Sequence, residues 1–191
     1  MITIYSIKPW FQKVLQPLMR GLVGIGATPN QVTAFTLLFS VCWGIYFSWA
    51  GVGSWIFMPL VLLVRMALNA LDGMMARQLR MESRLGVYLN ELGDMVSDLF
   101  LFLPFILIFP WLAGTAAALS LLSEAAGILG AVAGKGRRYD GPMGKSDRAF
   151  CLGVLGFIMS FNFAGTHLVN GIFAGMSLLL LQTIYFRIRR A

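Results

Sequence analysis

The sequence predicts an all-α integral membrane fold, six transmembrane helices preceded by an N-terminal amphipathic interfacial helix, and three observations carry that reading. Hydrophobic side chains make up 58% of the 191 residues and charged ones only 12%, against about 25% charged in soluble domains. Residues 35–63 and 99–122 hold no Asp, Glu, Lys or Arg, so no water-facing surface can be built from them. The basic residues recur at every second connection along the chain, the pattern of cytoplasmic loops.

The elements follow in order. In residues 4–26, Trp10, Phe11, Val14, Leu15, Leu18 and Leu22 recur at helical spacing while Lys8, Lys13 and Arg20 interrupt them. Such a segment lies along the cytoplasmic leaflet, and it has neither the continuous apolar core nor the small-residue cleavage site of a leader. Crossing the hydrocarbon core takes about 20 apolar residues, and the spans that qualify are 31–50, 54–77, 85–108, 112–133, 148–165 and 169–186. Connections 51–54, 109–111 and 166–169 contain no Lys or Arg, and every basic residue except Arg65 sits at the opposite ends of the spans. Both termini are therefore placed in the cytoplasm, at the plasma (inner) membrane if the source is bacterial. The net charge of +7 and pI near 9.9 are then a matter of topology, and nucleic-acid binding is set aside. Cys42 and Cys151 fall in apolar runs and read as packing residues; His167 sits in an outer loop. The chain 1–191 is read as a single membrane domain.

Five acidic residues, Asp72, Glu91, Asp94, Asp98 and Glu124, fall inside predicted spans, where each costs a few kcal/mol and marks function by default. The second and third spans run in opposite directions from the loop at 78–84, which puts Asp72 and Asp94 at comparable depth. Asn90, Asp94 and Asp98 are spaced by four, with Glu91 three before Asp94, and form one helical stripe. Asn69 and Asp72 share a face of the preceding helix, where Gly73 allows close approach to the backbone. Carboxylate and amide oxygens without Cys or His suit a hard divalent cation. Arg65 lies about 18 Å below Arg77, level with Asp98 and Glu124, so a buried ion pair or triad is the simplest reading of those three; a proton or ion pathway is the competitor.

Read as a line, the two spans give Asn69-x2-Asp72-Gly73-x2-Ala76-Arg77-x8-Gly86-x3-Asn90-x3-Asp94. This resembles the signature of the CDP-alcohol phosphotransferases (CDP-alcohol phosphatidyltransferases), with every spacing kept and Asn at two of the signature Asp positions. Residues 28–33 opening the first span, and Gly144-Lys145 before the fifth, agree with it. The resemblance implies transfer of a substituted phosphate from a CDP-linked lipid, CDP-diacylglycerol above all, to a small alcohol acceptor in phospholipid biosynthesis, with release of CMP and with Mg²⁺ or Mn²⁺. By position, Asn69, Asp72 and Asn90 fall on the metal side and Asp94 is the general base. Gly73 and Ala76 make room for cytidine, Arg77 meets phosphate, and Asn30 and Thr33 join the donor site. Lys145, Arg148, Arg137 and Arg138 are the cations offered to the acceptor or lipid phosphate, and that basic loop hints at an anionic acceptor or product.

The two asparagines lower the charge of the signature. Glu91 and Asp98 on the same stripe restore it if they join the metal, in which case Asp94 is itself a ligand and the base moves. A non-catalytic CDP-lipid binder is the alternative that the asparagines motivate, and an ion-coupled carrier is the one motivated by Arg65, Asp98 and Glu124. The resemblance also implies a homodimer, for which residues 127–134 offer a small-residue stretch.

Overall fold

The computed structural model describes residues 8–163 and 165–191, and every regular element in them is helical. The order is α1 (Lys8–Gly24), α2 (Pro29–Trp49), a 3₁₀ segment (Val52–Phe57), α3 (Met58–Gln78), α4 (Arg84–Ile108), α5 (Pro110–Val132), α6 (Lys145–Ser160) and α7 (Thr166–Arg189). Residues 4–7 of the expected first helix lie outside the described residues.

Helix starts follow from capping chemistry. Thr28 and Gln31 satisfy each other's backbone N–H groups in a capping box, and Pro29 follows where its missing N–H is no loss. The Ser83 hydroxyl accepts from the Gly86 N–H at 3.0 Å to open α4. Helix α1 stops at Gly26, whose φ of 77° lets the Ala27 N–H fold back onto the Leu22 carbonyl.

Four segments are long and apolar enough to cross a membrane: α2, the 3₁₀ segment together with α3, α5 and α7. Helix α4 has the length, at 25 residues, but Glu91, Asp94 and Asp98 run through it. The expected span at 148–165 is displaced: α6 begins at Lys145, where the Asp147 carboxylate accepts from the Gly144 N–H, and ends after 16 residues. The span expected at 54–77 is split, because Pro59 opens α3 afresh after the 3₁₀ segment.

Helix α2 packs against both α3 and α4, α4 continues to α5, α5 to α7, and α3 packs on α6 and on α1. One end of the bundle is aromatic. Trp55 is 1% exposed, its indole N–H donates to the Phe47 carbonyl at 2.9 Å, and its ring packs at a 59° tilt against Phe105, which in turn meets Phe173 edge-on. Trp10, Trp49 and Trp111 are exposed, whereas this tryptophan lies in the core. Close to the stack, Pro104 leaves the Phe100 carbonyl without its usual helical donor. Helix α2 reaches that carbonyl at Gly44, where a Cβ would collide with the Phe100 backbone. A glycine is thus required for the α2–α4 approach.

Gly44→Ala is expected to destabilise the protein by about 1–3 kcal/mol through overpacking. Gly175→Ala, at an open position in α7, should leave stability unchanged or slightly higher. Thermal unfolding of the two variants in detergent compares them directly.

Candidate functional site

Helices α3 and α4 leave the loop at residues 79–83 in opposite directions, and α2 packs against both. Between them, at the end of the bundle opposite the aromatic stack, opens a cavity of about 1060 Å³. Asp72, on α3, accepts the Thr33 hydroxyl of α2 at 2.8 Å. Across the cavity Asp94 of α4 is held at both oxygens: the Asn69 side-chain amide donates to Oδ1 at 3.0 Å, and the Lys145 ammonium, at the start of α6, sits against Oδ2. Asn30 lies against Gly86, where a Cβ would come 2.7 Å from its Oδ1. Arg77 folds back over Gly73, so the missing side chain there makes room for the guanidinium. Asn90, Ala76 and Glu91 complete this part of the lining.

Beneath the cavity runs a chain of buried ion pairs. Arg65 donates to Asp98 at 2.5 Å, Asp98 accepts from Arg148 at 2.7 Å, and Arg148 donates on to Glu124 at 2.8 Å. Glu124 also faces Arg137 at 2.9 Å and Arg187 at 3.5 Å, and Arg137 pairs with Glu91 at 2.9 Å. Five helices and the α5–α6 loop are joined by these contacts, and each buried charge has an opposite neighbour. Asp98, weighed as a metal ligand or alternative base, has its two oxygens taken by Arg65 and Arg148 and does not line the cavity.

The α5–α6 loop is strapped down over this network. The Arg187 guanidinium donates to the Ser123 carbonyl at 2.5 Å and to the Asp140 carbonyl at 3.3 Å, and Met143 N–H donates to Thr183 at 3.0 Å. Arg138 pairs with Asp140 at 2.8 Å and Arg190 with the same carboxylate at 2.7 Å. Burial raises the Asp140 carboxyl, but the Arg190 hydrogen bond and the Arg138 charge outweigh it and hold the group below the usual carboxylate range. Gly127 and Gly130 make room for this strap: a Cβ at Gly127 would lie 2.8 Å from the Arg138 carbonyl. The small-residue stretch expected at a dimer contact is thus occupied, at these two positions, from within the chain.

Of the loop cations singled out in the sequence, Arg137 and Lys145 line the cavity, Arg148 is buried behind it and Arg138 faces Asp140. Arg187 was not singled out: it reads in sequence as one of the basic residues following the last span. Its signal is faint, an i, i+4 pairing with Thr183 on an otherwise apolar helix.

Among the described residues no three His, Cys, Asp or Glu side chains come together as a metal-binding group. Asp72, with Asn69 and Asn90 in the same lining, offers oxygen chemistry of the kind a hard dication takes, while Asp94 is engaged by the Asn69 amide and by Lys145.

Residues 27–183 match the CDP-alcohol phosphatidyltransferase family. The chain belongs to that family of phosphatidyl-transferring enzymes. It is 38% identical over 192 aligned positions, 98% of this chain and 96% of the relative, to the inner membrane protein YnbA of Escherichia coli (strain K12). The fold is also that of the phosphatidylinositol phosphate synthase PgsA1 of Mycobacterium tuberculosis. Its complex with manganese and citrate superposes with a TM-score of 0.76 at 19% identity, over 91% of this chain and 87% of that one. Its CDP-DAG-bound form gives 0.72 at 21% identity, over 93% and 92%.

Arg148→Ala should destabilise the protein by about 3–5 kcal/mol, because it leaves Asp98 and Glu124 buried with a partner missing. Arg189→Ala, on an exposed stretch of α7, should change stability by less than about 0.5 kcal/mol. Denaturant titration in detergent gives both values.

Proposed function

We propose that the protein transfers a phosphatidyl group from CDP-diacylglycerol to the hydroxyl of a small alcohol and releases CMP. The observation that carries this reading is the two-faced cavity. Its polar end holds Asp72, Asp94, Asn69 and Asn90, and the same space continues between α3 and α6 along Leu62, Leu63, Met66, Phe150 and Val154. A donor with a nucleotide at one end and acyl chains at the other matches that division, since the chains stay in an apolar slot while the diphosphate meets polar groups. Six spans, with α4 and α6 counted, bring the acids of α4 to the interior of the bundle, where partnered charges are tolerated in a membrane. Helix α1, which buries Leu15 and Met19 and leaves Trp10, Val14 and Leu18 exposed, lies in the cytoplasmic interface. Both termini and the site are on the cytoplasmic side, and the protein works as a homodimer.

In the reaction the acceptor oxygen attacks the phosphorus that carries the diacylglycerol. A new P–O bond forms, the bond to the bridging oxygen breaks, and CMP takes the electron pair. Asp94 accepts the hydroxyl proton, with the Lys145 ammonium against its other oxygen. Arg77, folded over Gly73, meets the donor phosphates, Ala76 leaves room for the cytidine, and Asn30 lies at the same donor site. Thr33 orients Asp72. Asp72 with Asn69 and Asn90 would hold a Mg²⁺ or Mn²⁺ ion, which would supply neutralising charge for the diphosphate.

The asparagines favour a second reading, a non-catalytic CDP-lipid binder. The motive for an ion-coupled carrier is weaker, since Arg65, Asp98 and Glu124 are engaged with charges of opposite sign.

CMP release by the purified protein, supplied with CDP-diacylglycerol, divalent metal and a panel of polar alcohols, tests the proposal. Asp94→Asn and Asp72→Asn should each lower turnover by about 100-fold or more, and a chelator should abolish it. Metal-dependent binding of CDP-lipid without CMP release under any acceptor would establish the binder instead.

A further inference from the structure

We infer that the acceptor is an uncharged polyol, not a phosphorylated alcohol, and that Glu91 enforces this choice; the inference rests on the transfer reading above. Its basis is the charge of the cavity. Among the described residues five cations line it, and six carboxylates line it with them. Behind the lining, Arg65 and Arg148 face Asp98, and with these three counted the site carries no net charge. A dication and the diphosphate of the donor bring equal and opposite charge, so the loaded site stays neutral.

The cations nearest the reacting end are also individually engaged. Lys145 is against Asp94, Arg137 is clasped between Glu91 and Glu124 at 2.9 Å from each, and Arg187 faces Glu124. A phosphomonoester brings about two negative charges near neutral pH. It would have to pull a guanidinium off a carboxylate that then stays behind, partly buried and next to the new anion. A polyol asks for none of this. Tyr139 and Ser146 line the same cavity with hydroxyls, which donate to and accept from alcohol groups. The positive balance of the loop as a sequence does not reach the cavity as free positive charge, and the anionic acceptor that the basic loop suggests is replaced by a neutral one.

Glu91 is the discriminating group because it lines the cavity and holds Arg137 from the α4 side, whereas Glu124 is also needed by Arg148. Two measurements test the inference. In the first, kcat/KM for CMP release is compared for glycerol against glycerol 3-phosphate and for inositol against inositol phosphate. The free polyols should be favoured by about tenfold or more, the scale of a single charge-assisted hydrogen bond, and Glu91→Gln should narrow the ratio by about the same factor. Preference for the phosphorylated members, or a ratio unmoved by Glu91→Gln, overturns the inference.

The second measurement needs no turnover. Inorganic phosphate is titrated into the wild-type protein and into Arg137→Gln at low salt and followed by calorimetry, and no Arg137-dependent binding is expected up to millimolar concentration, whatever Arg77 takes up at the donor site. Saturable binding that disappears in Arg137→Gln overturns the neutral-acceptor assignment whether or not CMP is ever released. Absence of CMP with every acceptor overturns the transfer reading, and the phosphate titration then still decides the charge of the pocket.

Discussion

The run of ion pairs from Arg65 through Asp98, Arg148 and Glu124 to Arg187 is the constraint on which the rest of the molecule depends. Charges of this kind cannot stand singly in an apolar interior, so each fixes the position of the next. Arg65 ties α3 to α4, Arg148 ties α6 to α4 and α5, and Arg187 ties α7 to α5 and to the covering loop. The site residues inherit their places from that framework. Asp94 stands one helical turn from Asp98, so once Asp98 is pinned between two arginines Asp94 must point into the space that α2, α3 and α6 leave open. Lys145 opens the helix that carries Arg148, and the arginine that anchors α6 thereby delivers the lysine to Asp94.

Much of this was legible in the sequence because membrane chains make few choices. The spacing by four of Asn90, Asp94 and Asp98 and the three-residue step from Asn69 to Asp72 are helix geometry written directly in the residues. Their meeting follows from a loop too short for anything but a hairpin. The pairing of Arg65 with Asp98 was also within reach, since both sit at one depth and an apolar medium leaves such groups no other solution. What escaped is what depends on side chains arriving from distant parts of the chain. Arg187 lies 63 residues beyond Glu124 in a segment whose basic residues have a sufficient explanation in topology. Trp55 sits at a span end like its exposed counterparts, and only the position of Phe105 and Phe173 decides that it turns inward. The glycines of α5 read equally well as a contact between chains or as a seat for an arginine backbone within one; the loop that fills them is in no local pattern.

Net charge illustrates the same limit. The chain is strongly basic, yet the cavity is not, because cations that a linear reading assigns to a loop are matched in three dimensions by acids from two other helices. A charge total describes how a protein sits at a membrane; the charge felt by a ligand is set by which residues face each other.

The meeting of Gly44 with the Phe100 carbonyl that Pro104 frees, beside the stack of Trp55, Phe105 and Phe173, has a mechanical side. Close contacts of α6 with the start of α3, at Gly153 against Pro59 and Gly156 against the Met58 side chain, fall toward the same end. The bundle is built like tongs, closed by backbone contact and ring packing at the pivot and held by charge near the jaws. Any parting of α3 from α6 at the cavity end would therefore strain charge pairs before it strained the packed rings, because the two kinds of contact hold opposite ends of the bundle.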